Sequence, residues 1–353
     1  MRIAFLHMTM GIVDRGAERV VDLLATGLSQ NNEVLVIQAG RVDSSKKYLC
    51  KRVYNLESAP LVAPRNFWEK IMFRMYLDKS SRQVVGFTLE ATLEISKFDP
   101  DLIIVMNGAE QLKIIKHNFP NIKTVVFGEA GIGYHDKNTI LAKPDLFVAL
   151  TESASNWANK YRKGNTQIIV VPNPVELKKS KAIDLHMLSP IVMVAGALTS
   201  YKNIRDVIEA AKSNGYSLLL IGDGEESEIV AKSLSNFPSD FRWVKHVDPD
   251  DMMSYYLASD VFCFVPDQQE AFGNVYIEAM AAGLPIVASD DPIRREIVGN
   301  KGIYVEPHNI ESIKLGMQKA AKLGKQKYET ELTRFSLPVI SKQLGAIFHD
   351  LIN

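Results

Sequence analysis

Residues 270–290 read EAFGNVYIEAMAAGLPIVASD, a stretch that holds Glu270 and Glu278 eight positions apart among small and apolar residues. Gly273 permits a turn that side chains disfavour, and Asn274 is placed to cap the helix that follows. Ile277, Met280 and Ala281 give that helix an inward side. Glu278, four residues after Asn274, lies one turn in and faces the same end. A helix N-terminus attracts an anion such as phosphate through its free N–H groups. Carboxylates beside it meet neutral hydroxyls instead. Spacing alone leaves two readings open: a loop acid with an unrelated helix-surface acid, or one ligand held by the loop and the helix it opens.

Working outward, both halves of the chain repeat a short β-rich run followed by a longer helical pattern, the arrangement of a parallel sheet covered by helices. The expected strands are 3–6, 33–38, 102–106, 124–127, 146–149 and 168–171 in the first half. In the second they are 191–194, 218–221, 242–244, 261–265, 285–288 and 303–305. Several are apolar almost throughout, as when both sheet faces are buried. Residues 170–190 break the rhythm with Pro172, Pro174, Pro190 and a lysine cluster, so the boundary is set near residue 180. The expected organisation is α/β: a first domain over 1–180, a second over 181–335, and a terminal helix over 336–353 packing back on the first. Two such units facing a cleft suit a small-molecule site.

A chain of 353 residues accommodates two domains. Cys50 and Cys263 fall one in each half, which gives no disulfide framework and fits a reduced, cytoplasmic setting. The run Met1–Leu6 reads as a strand and is too short for a signal-peptide core. No apolar run approaches the roughly 18 residues of a membrane span. Residues 1–180 carry 24 Lys and Arg against 18 Asp and Glu, leaving 17 against 23 for the rest. That asymmetry is too scattered for nucleic acid.

The opening stretch resembles the donor-binding signature of retaining glycosyltransferases of family 4, which have the two-domain GT-B fold of Rossmann-like parallel sheets. The family's E-x7-E pattern falls on Glu270 and Glu278. The resemblance implies that Glu270 approaches the donor sugar, that Phe272, Gly273 and Asn274 form the supporting turn, and that Glu278 binds the ribose. In residues 191–212, Gly196 stands at a strand end and Lys202 resembles the family lysine that neutralises the leaving diphosphate. Ala197 stands where the family has a second cation, an arginine. Gly222 and Gly224 resemble the family's G-x-G loop, and Val244 falls where the base is seated.

In the first half, Gly16-Ala17-Glu18-Arg19 resembles the family's Gly-Gly-Ala-Glu-Arg opening, with Arg15 in place of the first glycine. Gly11 and Gly16 would let backbone approach the diphosphate or the acceptor. Gly128-Glu129 occupies the strand end where many relatives have a histidine, so Glu129 could supply a carboxylate there and His135 could enter from the loop. Asn107 and Glu110 are further candidates for acceptor contact. Asp248-Pro249-Asp250 has the spacing of a metal-binding pair. Asp248 at the N-cap, Pro249 at N1 and Asp251 at N3 explain it as a helix start without metal. Residues 65–82, with Trp68, Met72 and Met75 on one face and Arg65, Lys70, Arg74 and Arg82 around it, suit either an anionic membrane surface or a buried helix with a charged outer side.

The resemblance covers nearly the whole chain. It implies a metal-independent transferase that moves a sugar, with retention, from a UDP- or GDP-linked donor to a glycan or lipid-linked acceptor. Lys202, Glu270 and Glu129 would carry the chemistry. Two alternatives stand beside it: a GT-B nucleotide-sugar epimerase, and a weakened nucleotide-sugar-binding protein, which Ala197 and the missing histidine favour.

Overall fold

A computed structural model describes the chain apart from residues 14, 57–67, 69–70, 73–74, 177–179, 236 and 238–239. It divides into two compact units: residues 1–174 with 337–353, and residues 175–336.

The first unit is built on a parallel sheet of β1 (Arg2–Leu6), β2 (Glu33–Gln38), β3 (Leu49–Arg52), β4 (Leu102–Val105), β5 (Lys123–Phe127), β6 (Leu146–Ala149) and β7 (Gln167–Val170). Their order in space is β3-β2-β1-β4-β5-β6-β7. Alternation across the pleat sends Ile3 and Phe5 to one face and Ala4 and Leu6 to the other. The first pair packs with Val20 and Leu24 of the helix Gly16–Leu28 and with Ile340, Leu344 and Phe348 of the terminal helix Leu337–Ile352. The second pair packs with Val84 and Phe87 of the helix Lys79–Phe98 and Leu112 and Ile115 of the helix Gly108–Asn118. The strand β3 was not expected. Its Leu49 is exposed and it carries Lys51 and Arg52 at the sheet edge, so no alternation of apolar residues announces it.

The second unit repeats the design with β8 (Ile191–Ala195), β9 (Ser217–Ile221), β10 (Phe241–Val244), β11 (Val261–Phe264), β12 (Ile286–Ser289) and β13 (Ile303–Val305), ordered β10-β9-β8-β11-β12-β13 and parallel throughout. Val192 and Val194 pack beneath the helices Ile204–Asn214 and Ile310–Leu323. On the opposite pleat, Phe262 and Phe264 meet Tyr256 and Tyr276 as an aromatic cluster with ring centroids 5.4–6.4 Å apart.

Strand order reverses between β1 and β4 in one unit and between β8 and β11 in the other. Chains leaving neighbouring strands there diverge to opposite faces and open a crevice at the carboxyl ends. Among the described residues no helix is long and apolar enough to cross a membrane. Of residues 65–82, Trp68 and Met75 are strongly exposed, whereas Arg65, Lys70 and Arg74 lie outside the described residues.

Candidate functional site: a buried ion pair in the second unit and a polar cavity in the first

At the reversal in the second unit, the loop after β8 carries Gly196 and Lys202, and the loop after β11 carries Glu270. Lys202 Nζ lies 3.5 Å from Glu270 Oε2, with both side chains largely buried. Gly196, at φ +144°, is open to the ammonium: a Cβ there would stand 3.3 Å from Lys202 Nζ. The ammonium also sits 5.5 Å from the centre of the Phe264 ring. Behind this loop, a Cβ on Gly222 would overlap the Gly196 carbonyl, and one on Gly224 would overlap that of Leu198. These glycines therefore let the loop after β9 pack against the loop after β8.

The backbone carrying Glu270 is fixed carbonyl by carbonyl. Tyr276 Oη donates to Phe264 O at 2.6 Å, Asn203 Nδ2 to Val265 O at 3.0 Å, and Ser289 Oγ to Pro266 O at 2.6 Å. Arg294 then donates to Asp267 O at 2.8 Å and to Glu270 O at 3.0 Å. Arg294 is fully buried, and its charge is balanced by Asp291, 3.3 Å away. Asp291 also caps the helix Pro292–Val298 through the amides of Ile293 and Arg294. A loop held at five carbonyls cannot relax freely, so the Glu270 carboxylate keeps its place before any ligand arrives. Sequence reasoning passed over Arg294. The Asp291-Pro292 helix start was a signal for its position, but only the packing shows that its guanidinium turns inward.

Gly273, at φ +85°, is the N-cap of the helix Asn274–Ala281, and Asn274 is its first residue. The expected cap at Asn274 is thus displaced by one position, because the backbone turn itself requires glycine: a Cβ there would lie 2.9 Å from the Tyr276 ring. Phe272 is buried, with its ring 6.0 Å from that of Phe335, so only its backbone is free for a ligand. Glu278 receives a 2.8 Å hydrogen bond from Tyr256 Oη, which anchors one carboxylate oxygen. Val244 ends β10 and is partly exposed. The methyl of Ala197 is exposed on the β8 loop. Asp248 accepts from the Asp250 amide within a turn, while the helix Met252–Leu257 starts later with Asp251 at its N-cap. The expected cap at Asp248 is corrected accordingly. Among the described residues no group of three or more His, Cys, Asp or Glu is arranged to hold a metal ion.

At the reversal in the first unit lies a cavity of about 400 Å³, lined by the segments following β1, β4 and β5 and by the start of the helix Lys79–Phe98 with Tyr76 before it. It brings together Glu18, Asn107, Glu110, Glu129, His135 and Asp136. Asn107 Oδ1 accepts from the Met8 amide at 2.8 Å, and Gln111 Oε1 accepts from the Asn107 amide at 2.9 Å. The first bond ties the β1 loop to the β4 loop and the second fixes the Asn107 backbone. Glu129 Oε2 accepts from Asn173 Nδ2 at 3.2 Å. Burial and the nearby Glu129 carboxylate push the Asp136 carboxyl well above its usual range. Burial also raises Glu110 and holds His7 below the usual histidine value. Gly16 opens the first helix and is exposed. Gly11, at φ +74°, is exposed, and a Cβ there would overlap the Arg41 carbonyl of the neighbouring loop.

Two parallel Rossmann-like sheets, each with a crevice at its strand reversal, define a GT-B fold. Residues 176–333 match the family described as Glycosyl transferases group 1, and the chain is related to that family through this segment. An uncharacterized glycosyltransferase of Haemophilus influenzae is 32% identical over 185 residues, covering 49% of this chain and 50% of that protein. A capsular polysaccharide biosynthesis glycosyltransferase of Staphylococcus aureus is 27% identical over 232 residues, covering 60% and 57%. The chain thus spans about half the length of these curated relatives. Among solved structures, Anabaena HepE in complex with UDP-glucose aligns with a TM-score of 0.75 at 15% identity, over 99% of this chain and 100% of that one. The pneumococcal O-GlcNAc transferase GtfA, in complex with UDP and GlcNAc, aligns with a TM-score of 0.66 at 12% identity, over 100% and 99%. At such identities these likenesses show the fold alone.

Proposed function

We propose that this protein is a glycosyltransferase that moves a sugar from a UDP- or GDP-linked donor to a glycan or lipid-linked acceptor, in the manner of the retaining family 4. The observation that carries the reading is the Lys202–Glu270 pair, set at the strand reversal of the second unit and held by a clamped loop. Lys202 supplies positive charge to the leaving diphosphate, and Glu270 accepts hydrogen bonds from hydroxyls of the donor sugar. Glu278, with one oxygen anchored by Tyr256, binds the ribose. Gly196, Gly222, Gly273 and the backbone of Phe272 and Asn274 surround the nucleotide, with Val244 beside the base. The donor phosphate takes the acceptor proton as the glycosidic bond breaks, and Lys202 with the helix N–H groups stabilises the charge that develops. No divalent ion enters this scheme; the Asp248 carboxylate accepts from the Asp250 amide within a turn.

The first unit, with Glu129 in its cavity and Gly16 at the entry of its first helix, receives the acceptor. The exposed Trp68 and Met75 are proposed to rest on the anionic cytoplasmic face of a membrane when the acceptor is lipid-linked. The relative whose name refers to capsular polysaccharide biosynthesis supports an acceptor of glycan class.

The test begins with calorimetry of the full chain against UDP, GDP and their sugar conjugates. Glu278→Ala should weaken the preferred nucleotide by roughly tenfold or more, the loss of about 1.5–3 kcal/mol for a hydrogen bond to a charged group. Unchanged affinity removes Glu278 from the site. Mass spectrometry of products formed with acceptor extracts then separates transfer from isomerisation of the free sugar nucleotide, which would move the assignment to an epimerase.

A further inference from the structure

The first-unit cavity has a chemical bias that bears on what enters it. His7, Thr9 and Glu18 form a chain: the Thr9 hydroxyl donates to Glu18 Oε1 at 2.6 Å, and His7 Nδ1 lies 3.3 Å from the same hydroxyl oxygen. The single Thr9 proton is committed to the carboxylate, so His7 Nδ1 is the donor to Thr9. Glu18 is 7% exposed, and its second oxygen, Oε2, is buried without a hydrogen-bond partner among the described residues. A buried carboxylate oxygen without a donor is costly and calls for one. The residue lines the cavity.

The remaining polar lining points the same way. Glu110, Glu129 and Asp136 are further carboxyls on the wall, while the cationic side chain among the described lining residues is the exposed Arg15. Burial raises the carboxyls of Glu110 and Asp136, with Glu129 adding to the second, so charge is disfavoured on this part of the wall. Acceptor oxygens therefore outnumber cations on a wall that also includes the rings of Tyr76 and Tyr134. Such a surface suits a ring with many hydroxyl donors and apolar C–H faces. It repels phosphate and carboxylate.

We propose that the acceptor sugar bound in this cavity carries no negative charge, and that Glu18 Oε2 accepts a hydrogen bond from one of its hydroxyls. The inference rests on the reading of the first unit as the acceptor side and names the substrate class that side takes. The cavity thus acts as a charge filter, with Glu18 as a specificity-determining residue.

Ligand-observed NMR titration of the full chain tests it, with methyl glycosides of glucose, galactose, mannose and N-acetylglucosamine as neutral probes. The corresponding uronides and 6-phosphates are the anionic probes. At least one neutral glycoside should bind, and its anionic counterparts should bind about tenfold more weakly or not at all. Glu18→Gln should weaken the neutral probe about tenfold, since the amide cannot offer both oxygens. Anionic probes that bind as well as neutral ones overturn the proposal, as does an absence of binding by every probe. A folded Glu18→Gln variant with unchanged affinity overturns the role of Glu18. Should that variant fail to fold, Glu110→Gln reads the filter instead: the neutral-to-anionic preference should narrow about threefold, and an unchanged ratio counts against it. Nucleotide calorimetry on the same sample separates the failures. Nucleotide binding without the charge preference sinks this inference alone, whereas loss of both sinks the transferase reading as well.

Discussion

Replacing Glu270 by glutamine should tighten binding of a bare nucleoside diphosphate. Lys202 Nζ and Glu270 Oε2 stand 3.5 Å apart, with their side chains 13% and 15% exposed. At an effective dielectric constant of about 20, two unit charges at that distance attract by about 5 kcal/mol. Rehydration of the separated groups cancels most of this, leaving about 1.5–3 kcal/mol for a charge-assisted contact. An arriving diphosphate does not break the contact outright, since an ammonium has three donors and can serve both partners. Half of the net value, about 1 kcal/mol, is then the cost that Glu270 imposes on phosphate binding. Glu270→Gln should lower the Kd for UDP or GDP roughly fivefold. The matched nucleotide sugar should gain less, because the amide replaces a carboxylate that accepts sugar hydroxyls. Calorimetry with both ligands, repeated at low and high salt, reads the difference. A nucleoside diphosphate that binds tenfold more weakly to the variant would show that Glu270 supports phosphate binding, and the competition argument would fail.

Three further outcomes follow from the same geometry. Lys202→Ala should slow single-turnover transfer more than it weakens donor binding, because charge grows on the phosphate as the sugar leaves; equal losses would assign Lys202 to binding alone. Arg294→Leu strands Asp291 and releases the carbonyls of Asp267 and Glu270, a loss of about 3–5 kcal/mol for half of a buried pair. Calorimetric unfolding should show the second unit melting about 10 °C lower, and an unshifted transition would remove Arg294 from the frame. Asp136 has a folded-state pKa above its unfolded value, so the folded protein holds the extra proton and stability declines as pH rises from the ordinary carboxyl range through the folded value. Asp136→Asn should therefore raise Tm more at pH 8 than at pH 5; an equal shift at both would place the benefit outside ionisation.

The periodicities of the chain determined its class. Apolar runs such as Ile3–Leu6 and 191–194, each followed by a helical stripe, specify strand and helix within a few residues of backbone, and parallel pairing follows because the helices must cross over. For the same local reason Gly273 and the helix after it were legible. Asn274 was misplaced by one position, since the cap falls on Gly273, whose left-handed torsion and closeness to the Tyr276 ring exclude a side chain. The edge strand β3 escaped notice because its stability comes from pairing with β2 and not from its own pattern. Of the site, the sequence singled out Lys202, Glu270 and Glu278 by resemblance. Tertiary structure alone brought Lys202 and Glu270, 68 positions apart, to within 3.5 Å. It alone turned Arg294 inward to hold the loop, buried Phe272 against Phe335, and left Glu18 Oε2 facing the need for a donor. These are contacts between residues distant in sequence, set by how two sheets order their strands. A periodicity read along one segment carries information about the face that segment buries, and none about which side chain will meet it there.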